Sequence, residues 1–281
     1  MILKLVLQIS LVVVSANVFA RPSMNFVQYD SLRPASAEEL YNLAATNGCS
    51  AGYVDIGRSI EAKAVVLTNG HCVGGTLAAR QAMVNIPTSK SFSIFRASGA
   101  KLNVTGTRLM YATLMDTDIA LYELKETNAE LQKKGLVPFV FYHGEAPLGS
   151  AVRVTSGYWK ETQECFLERR VHKLLEGFGS DISDPSIATN AIAFSKDCDI
   201  RGGYSGTPVI DSASNSVIAI AFTGSEGNNA CAESSPCEED EQGNRLYRKG
   251  VSYAARVDQI SDCIVDGEFN LTLPTCTLFK K

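Results

Sequence analysis

The chain has 281 residues, a formal net charge of −4 and 45% hydrophobic residues, which is the composition of a globular protein. It contains no run of lysine and arginine of the kind that follows a phosphate backbone, so nucleic acid is not expected as a partner. The length is sufficient for one large all-β unit or for two fused barrels with a sizeable core, and it does not choose between them.

The first 20 residues have the pattern of a secretory signal peptide. A head that contains Lys4 precedes an apolar run from Leu5 to Val14, and the segment ends in Val-Phe-Ala at Ala20. The apolar run is too short for a spanning helix. We therefore expect cleavage after Ala20 and a secreted or periplasmic protein without membrane attachment. The alternative is an uncleaved membrane anchor.

Residues 21–48 are expected to form a lead-in or propeptide segment, ahead of a catalytic domain at 49–281. Ser36 to Glu39 have the sequence of a capping box, and Asn47-Gly48 is a plausible helix stop. The pattern predicts a short helix in the lead-in. Its apolar face would hold Leu40, Leu43 and Ala44.

Short apolar runs separated by turn-rich pieces recur along the rest of the chain, a pattern typical of an antiparallel barrel or sandwich. The predicted strands are 64–67, 119–124, 151–154, 191–194, 217–222 and 250–257. A capping box at Thr127 to Glu130 predicts a helical turn that ends near Gly135. A C-terminal helix is predicted because one helical face would hold Val257, Ile260 and Ile264.

The stretch from Cys198 to Pro208 contains a motif that could supply a nucleophile. Ser205 lies between Gly203 and Gly206. Glycines on both sides allow φ values that place a hydroxyl at a tight bend, with nearby N–H groups directed into one small hole. Acyl transfer requires this arrangement. Gly-x-Ser-Gly segments are also common as ordinary turns, so the motif does not establish a nucleophile by itself.

Two further motifs lie upstream. His71 follows the predicted strand 64–67, and Asp118 precedes the predicted strand 119–124. Together, Leu-Thr-Asn-Gly-His-Cys, Asp-Ile-Ala-Leu and Gly-Tyr-Ser-Gly-Thr-Pro resemble the three motifs of the chymotrypsin-like (trypsin-like) serine endopeptidases. The amino-acid sequences of these motifs are most similar to those of the bacterial glutamyl-endopeptidase and HtrA branches. The resemblance covers roughly residues 47–265.

The resemblance implies an all-β fold of two perpendicular six-stranded antiparallel barrels, with a short C-terminal helix and the active site between the barrels. It also implies a triad in which Ser205 is the nucleophile, His71 the general base and Asp118 the residue that orients the imidazole. The backbone N–H groups of Gly203 and Ser205 would form the oxyanion hole. This chemistry needs no cofactor and no metal ion.

Rival residues exist for two of these roles. Asp116 lies two residues before Asp118, and Asp118 is preferred because Ile-Ala-Leu follows it directly, as in the family motif. His143 and His172 lie in polar surroundings without a matching motif, and we expect both at the surface.

Eight cysteines in an exported chain predict disulfides, and the sequence alone leaves many pairings open. Adjacency and the resemblance suggest one set: Cys49 with Cys72, Cys165 with Cys198, Cys231 with Cys237, and Cys263 with Cys276. A zinc site is disfavoured, because Cys-x-x-Cys and His-x-x-x-His spacings are absent.

Primary specificity is expected to depend on Asp199, six residues before Ser205. In trypsin-like members this position forms the floor of the specificity pocket, where an aspartate pairs with a substrate lysine or arginine. Gly250 resembles the small residue of the pocket wall. Two alternatives stay open: a Cys-Asp pair often precedes the nucleophile loop whatever the specificity, and Arg201 could neutralise Asp199.

Residues 219–224 resemble the strand that pairs with an extended substrate backbone. The candidate substrate contacts on it are Ala221, Phe222 and Gly224. Ala221 occupies the approximate place of a histidine in glutamyl-specific members, so glutamate specificity is not expected. The acidic run 238–241 could add a negative field that attracts cationic substrates, or it could be solvated surface.

Animal members are activated when a new N-terminus, Ile-Val-Gly-Gly, pairs with an aspartate just before the nucleophile. The chain lacks that sequence, and Tyr204 stands in place of the aspartate. Activity is therefore not expected to depend on a buried N-terminal ammonium.

The sequence thus predicts a monomeric secreted serine endopeptidase that acts on protein or peptide substrates, with cleavage after lysine or arginine as the leading specificity. Two alternatives are a catalytically silent homologue that binds a protein partner, and an esterase that uses the same triad.

Overall fold

The structure is a computed structural model that describes residues 32–74, 77–178, 181–195, 197–227 and 229–280. The signal peptide expected at 1–20 lies outside the described residues, as does the lead-in up to residue 31. In the described ranges, no helix is long and apolar enough to cross a membrane.

Strands are the main regular structure of the described chain. They are β1 (Arg33–Pro34), β2 (Leu43–Thr46), β3 (Cys49–Val54), β4 (Lys63–Thr68), β5 (Ala82–Phe95), β6 (Lys101–Thr113), β7 (Met115–Asp116), β8 (Ile119–Thr127), β9 (Ala151–Ser156), β10 (Glu161–Phe178), β11 (Asp181–Phe194), β12 (Pro208–Asp211), β13 (Val217–Gly224), β14 (Cys237–Glu239), β15 (Arg245–Tyr247), β16 (Ser252–Arg256), β17 (Ile264–Val265) and β18 (Glu268–Phe269). The helices of this part are α1 (Ala37–Leu40), α2 (Asn128–Lys133) and α3 (Asp258–Ser261), with a 3-10 turn at His71–Val73.

The first six-stranded ring is closed in the order β2, β3, β4, β8, β6, β5. The continuous apolar run of β4 is explained by burial on both faces of the strand. Ala64 and Val66 pack in one hydrophobic cluster with other strands of this ring. Val65 and Leu67, on the opposite face, pack in a second cluster that includes residues of the other ring. Both faces of the strand are therefore buried, and no polar alternation is needed.

The second ring contains the other long strands. Its order is β10, β9, β12, β13, β16, β11, and β11 pairs back with β10 to complete the circuit. The two long strands β10 and β11 form a hairpin that extends beyond the ring. Strand β11 also pairs with the short strand β7, which contains Asp116. The predicted all-β arrangement of two six-stranded units is confirmed.

A shared hydrophobic cluster joins the two rings. It combines Tyr111 of the first ring with Phe222 and Tyr253 of the second. Each ring also has a cluster of its own, around Tyr122 in the first and Phe194 in the second. The cavity described below lies where strands from both rings end at this seam.

The predicted lead-in helix is correct at its start and too long at its end. Ser36 caps α1 with both hydrogen bonds of the capping box. The helix ends at Leu40, because Tyr41 takes an extended ψ of 130° and Asn42 then takes a positive φ of 65°. Leu43 and Ala44 lie on opposite faces of β2, in different clusters, and not on one helical face. The first ring therefore begins before residue 49, within the segment 21–48 that is expected from the sequence to be a lead-in.

The other two predicted helices differ in outcome. Thr127 caps α2 through a full capping box, as expected. The C-terminal helix α3 is a single turn, and Ile264 belongs to the two-stranded hairpin of β17 and β18 instead of a helical face. This hairpin packs on the first ring, where Phe269 contacts Tyr111 with 5.2 Å between ring centroids.

Four disulfides pair the eight cysteines as the resemblance suggests: Cys49–Cys72, Cys165–Cys198, Cys231–Cys237 and Cys263–Cys276. The first of them ties the start of β3 to the 3-10 turn that contains His71. The second is buried in the cluster of the second ring, just before the segment that leads to Ser205.

Removing Cys165–Cys198 should destabilise the protein more than removing Cys231–Cys237, because the bridged residues are 33 positions apart in the first pair and 6 in the second. The chain-entropy model gives a loss of about 3 to 4 kcal/mol for the longer loop and about 2 kcal/mol for the shorter one. The measurement is urea unfolding of the two double Cys→Ala variants. A larger loss for the Cys231 and Cys237 variant would contradict the expectation.

Candidate active site

His71 and Asp118 are held together by two hydrogen bonds at the seam of the rings. The distance from His71 Nδ1 to Asp118 Oδ2 is 2.6 Å. The backbone N–H of His71 donates to Asp118 Oδ1 at 3.1 Å. The Asp118 side chain is only 1% exposed, whereas that of His71 is 30% exposed. A buried carboxylate thus fixes a histidine whose ring still reaches the cavity.

The structure brings Asp118 to the histidine, and not its rival Asp116. Asp116 has a positive φ of 64° and lies on the short strand β7. The backbone carbonyl of Asp116 accepts a hydrogen bond from Thr189. His143 and His172 are exposed, as expected.

Asn69 is a buried site residue that the sequence reasoning missed. Its Nδ2 donates to the backbone carbonyl of Asp118 at 2.6 Å. Its Oδ1 accepts from the N–H of Gly206 at 2.6 Å, on the turn that follows Ser205. One amide side chain therefore connects the loop of the first ring to the serine turn of the second. Asn69 lies two residues before His71, within the Leu-Thr-Asn-Gly-His-Cys motif. That position is the sequence signal that could have identified it as a site residue.

Ser205 lies on a tight turn formed as the glycines predict. Gly203 and Gly206 have φ values of +93° and +84°. A Cβ at Gly206 would lie 2.2 Å from both the Ser50 carbonyl oxygen and Thr68 Oγ1, so the turn and β3 can approach this closely only with glycine. The carbonyl of Ser205 accepts from the N–H of Ser50 at 2.8 Å.

Gly203 and Ser205 both line one cavity, which is described below. Ser205 Oγ donates to the carbonyl of Phe222 at 3.5 Å, and the hydrogen bonds of the described residues include none between Ser205 and His71. In the same part of the chain, neither the N–H of Gly203 nor that of Ser205 donates to a protein acceptor.

The cavity has a volume of about 340 Å³ and is lined from both rings. His71 and Asp118 come from the first ring, and Gly203, Ser205 and Phe222 from the second. The arrangement combines a hydroxyl, an imidazole with a buried carboxylate behind it, and free amides.

Glu176, on β10, is an acidic group of the cavity that the sequence reasoning did not single out. Its Oε1 accepts from Thr223 Oγ1 at 2.9 Å and from the N–H of Ser234 at 2.7 Å. Burial raises the pKa of the Glu176 carboxyl to about 7, although these two hydrogen bonds and the charge of His71 lower it. Glu176 therefore changes charge near neutral pH.

The pKa of His71 lies above its ordinary value of 6.5. Burial acts in the opposite direction and lowers it, but the charge of Asp118 and its hydrogen bond to the ring raise it. Glu176 and Glu233 raise it further. Acidic groups around the imidazole thus favour its protonated form.

Of the predicted substrate contacts, Phe222 and Gly224 line the cavity, and Asp199, Ala221 and Gly250 do not. Ala221 is fully buried inside the second ring because its side chain points away from the seam. Gly250 is exposed in a turn with a φ of +75°. The wall position expected for Gly250 is therefore not at this cavity.

Asp199 is displaced from the predicted pocket floor. Its side chain is 57% exposed, and its Oδ2 lies 3.4 Å from Arg201 Nη1. Its backbone is held by the Gln163 side chain, which donates to the Asp199 carbonyl at 2.7 Å and accepts from its N–H at 2.9 Å. The negative charge still affects the cavity, because it raises the pKa of Glu226, after the larger effect of burial.

The acidic run at 238–241 is partly neutralised by neighbouring bases. Glu238 pairs with Arg169 and Arg248 and accepts a hydrogen bond from Tyr253. Glu239 pairs with Lys173 and with Arg245. Two of the four acidic residues are neutralised by bases on β10 and in the segment around β15. The glutamates that line the cavity are Glu176, Glu226 and Glu233.

The described residues contain one group whose spacing could hold a metal ion, made of Cys49, His71 and Cys72. Both sulfur atoms are joined in a disulfide, so they are not available as thiolate ligands. The group does not fit a metal site.

Residues 52–220 match the family described as trypsin-like peptidase domain. This match spans more than half of the chain, and the chain belongs to that family. It confirms the resemblance drawn from the three motifs, and the enzyme class that it indicates is serine endopeptidase. No curated protein matches the chain.

Several solved structures are similar in fold. The Rv3671c protease of M. tuberculosis, in an inactive form, is 14% identical with a TM-score of 0.46, and the match covers 79% of this chain and 85% of that one. A Glu endopeptidase in complex with MPD is 12% identical with a TM-score of 0.47, covering 81% and 91%. Neuropsin from mouse brain is 14% identical with a TM-score of 0.48, covering 82% and 95%.

The raised pKa of His71 can be tested by NMR titration of the imidazole. Glu176→Gln removes a negative charge that favours the imidazolium, so the pKa of His71 should fall. Asp118→Asn should lower it further, because Asp118 has the larger effect. Since His71 and Glu176 titrate in overlapping ranges, both macroscopic steps must be fitted together.

The matched control is Glu239→Gln, which removes a carboxylate that pairs with Lys173 and Arg245 outside the cavity. It should leave the pKa of His71 unchanged. An unchanged or higher pKa in Glu176→Gln would show that Glu176 does not act on the imidazole.

Proposed function

We propose that the chain is a secreted serine endopeptidase that hydrolyses peptide bonds through an acyl-enzyme, with His71, Asp118 and Ser205 as its triad. The observation that carries the proposal is the meeting at one cavity of Ser205, of the His71 ring with its 2.6 Å contact to Asp118, and of two residues, Gly203 and Ser205, whose amides have no acceptor among the described residues. Four disulfides suit an oxidising compartment and support export.

The tautomer of His71 follows from its partner. Asp118 Oδ2 accepts the hydrogen on Nδ1, which leaves Nε2 unprotonated in the neutral ring and able to take a proton. Ser205 Oγ must turn from the Phe222 carbonyl toward Nε2 as substrate binds. Such catalytic hydrogen bonds are often long or absent in free enzymes.

In the acylation step, Ser205 Oγ attacks the scissile carbonyl carbon while its proton moves to His71 Nε2. Negative charge develops on the carbonyl oxygen, and the N–H groups of Gly203 and Ser205 stabilise it. Each such donor contributes roughly 3 to 4 kcal/mol to the transition state. His71 then gives the proton to the leaving amine, and water releases the acyl group by the reverse sequence.

Ser205→Ala should abolish both covalent labelling by a fluorophosphonate and digestion of a protein substrate, because the attacking oxygen is removed. The control is Ser212→Ala, which removes an exposed hydroxyl on the far side of β12 that bonds Glu164 and should leave both signals unchanged. The assays are gel labelling and casein digestion.

The same experiment separates the alternatives. A silent homologue would show no labelling in the wild-type protein. An esterase would show labelling that requires Ser205, without cleavage of casein. Either result would overturn the proposed endopeptidase activity.

The proposal includes a preference for lysine or arginine before the scissile bond. It is supported by the three cavity glutamates, of which Glu226 lies close enough to Asp199 for their charges to interact. Burial and the charge of Asp199 raise the pKa of Glu226. A cationic side chain entering the cavity would offset that repulsion. Arg201, which also lines the cavity, is engaged with Glu161 at 2.5 Å.

Glu226→Gln should lower kcat/KM for lysine and arginine substrates by about 10-fold, the equivalent of roughly 1.4 kcal/mol, and leave aromatic substrates unchanged. Asp199→Asn should have a smaller effect, because its carboxylate is exposed and lies beside Arg201. Profiling of a peptide library measures both. A wild-type preference for aromatic or acidic residues would contradict the assignment while leaving the triad intact.

A further inference from the structure

Trp159 is the chain's single tryptophan and lies on the turn between β9 and β10. It is 45% exposed, yet its indole N–H is engaged: Nε1 donates to the backbone carbonyl of Gly202 at 2.7 Å. Gly202 belongs to the turn that contains Ser205. A side chain of one loop therefore holds a peptide unit of the serine turn.

The peptide unit concerned is the one whose N–H belongs to Gly203. The described residues contain no cis peptide bond. In a trans peptide the C=O and the N–H point in opposite directions. Because Trp159 binds the Gly202 carbonyl, the N–H of Gly203 must point away from the indole. Gly203 lines the cavity, and its N–H has no acceptor within the described part of the chain.

Packing around Gly203 reinforces this orientation. A Cβ at Gly203 would lie 2.6 Å from Trp159 Nε1 and 2.7 Å from Tyr158 Cδ1, so the aromatic pair is pressed against the glycine Cα. The next carbonyl, that of Gly203, accepts from Ser50 Oγ at 2.9 Å and from Ser156 Oγ at 3.3 Å. The carbonyls of both peptide units that flank Gly203 are therefore held by hydrogen bonds from side chains.

The turn that contains Trp159 is itself braced by the N-terminal segment. The N–H of Ala35 donates to the carbonyl of Lys160 at 2.9 Å, and β1 pairs with the start of β10. A Cβ at Gly157 would lie 2.3 Å from the Ala44 carbonyl oxygen, which shows how closely the turn packs on β2. The guanidinium of Arg201 lies 5.5 Å from the centre of the Trp159 ring.

We propose that Trp159 is a positioning residue for the oxyanion hole. Its indole N–H holds the Gly202 carbonyl so that the N–H of Gly203 faces the cavity. Residue 204, just before the nucleophile, is a fully buried tyrosine and not an aspartate that could pair with an N-terminal ammonium. The Trp159 contact is therefore a different way to fix the serine turn. The proposal rests on the proposed function, because the orientation matters only if Ser205 forms an oxyanion intermediate.

Trp159→Phe keeps an aromatic ring and removes the N–H. Deleting an oxyanion donor outright costs about 10² to 10³ in kcat. Loss of the group that orients a donor should cost less, about 10-fold to 100-fold in kcat, with KM changed by less than about 2-fold. A peptide aldehyde, whose hemiacetal oxygen occupies the same hole, should bind more weakly by the same factor as kcat falls.

A single-atom comparison provides the control, because the chain has only one tryptophan to replace. Benzothienylalanine puts sulfur in place of the indole N–H and should reproduce the loss. 5-Fluorotryptophan retains the N–H and should keep kcat and aldehyde binding near the wild-type values. Titration of Ser205 with fluorophosphonate in each variant normalises the rates to the folded enzyme.

Two results would overturn the proposal: benzothienylalanine enzyme with wild-type kcat and aldehyde affinity, or equal losses with both analogues, which would show a packing role for the ring alone. Failure of the proposed function is recognised separately, since the wild-type protein would then show no labelling that requires Ser205.

Discussion

The buried carboxylate of Asp118 is the group on which the geometry of the site depends. A carboxylate that is 1% exposed must find hydrogen-bond donors. Among the described residues, His71 supplies two of them, one from the ring and one from the backbone. The approach is close because Gly70 has no side chain: a Cβ there would lie 2.2 Å from the Thr113 carbonyl oxygen and 3.0 Å from Asp118 Oδ1. The pairing of β4 with β8 in the first ring makes this contact possible.

Polar contacts between the two rings position the second ring relative to His71 and Asp118. Asn69 bonds both the Asp118 carbonyl and the Gly206 N–H. Ser50 bonds the carbonyls of Ser205 and Gly203 through its N–H and its hydroxyl. Both side chains are fully buried, so an unpaired polar atom at either position would be costly. Because hydrogen bonds have preferred distances and directions, these bonds fix the position of the nucleophile turn relative to the imidazole.

Much of this could be predicted from local sequence, and the rest depended on distant contacts. The run 64–67 is recognisable as a strand because both its faces are apolar, and Ser205 is recognisable because glycines flank it. Leu43 and Ala44 fit a helical face and a two-sided strand equally well, and only the pairing of β2 with β3 and β5 decides between them. Glu238 looks like part of a solvated acidic run until β10 brings Arg169 beside it. Asp199 occupies the expected position in the chain, but the Gln163 side chain and Arg201 determine where it points.

The central claim is that Ser205 attacks a carbonyl whose oxygen enters the space before Gly203 and Ser205. A crystal structure of the enzyme inactivated by a peptidyl diphenyl phosphonate tests it most directly, because the phosphonyl group resembles the tetrahedral intermediate. We expect a covalent bond from phosphorus to Ser205 Oγ, with the phosphonyl oxygen within hydrogen-bond distance of the N–H groups of Gly203 and Ser205. An adduct on another residue, or an oxygen that faces away from both amides, would contradict it.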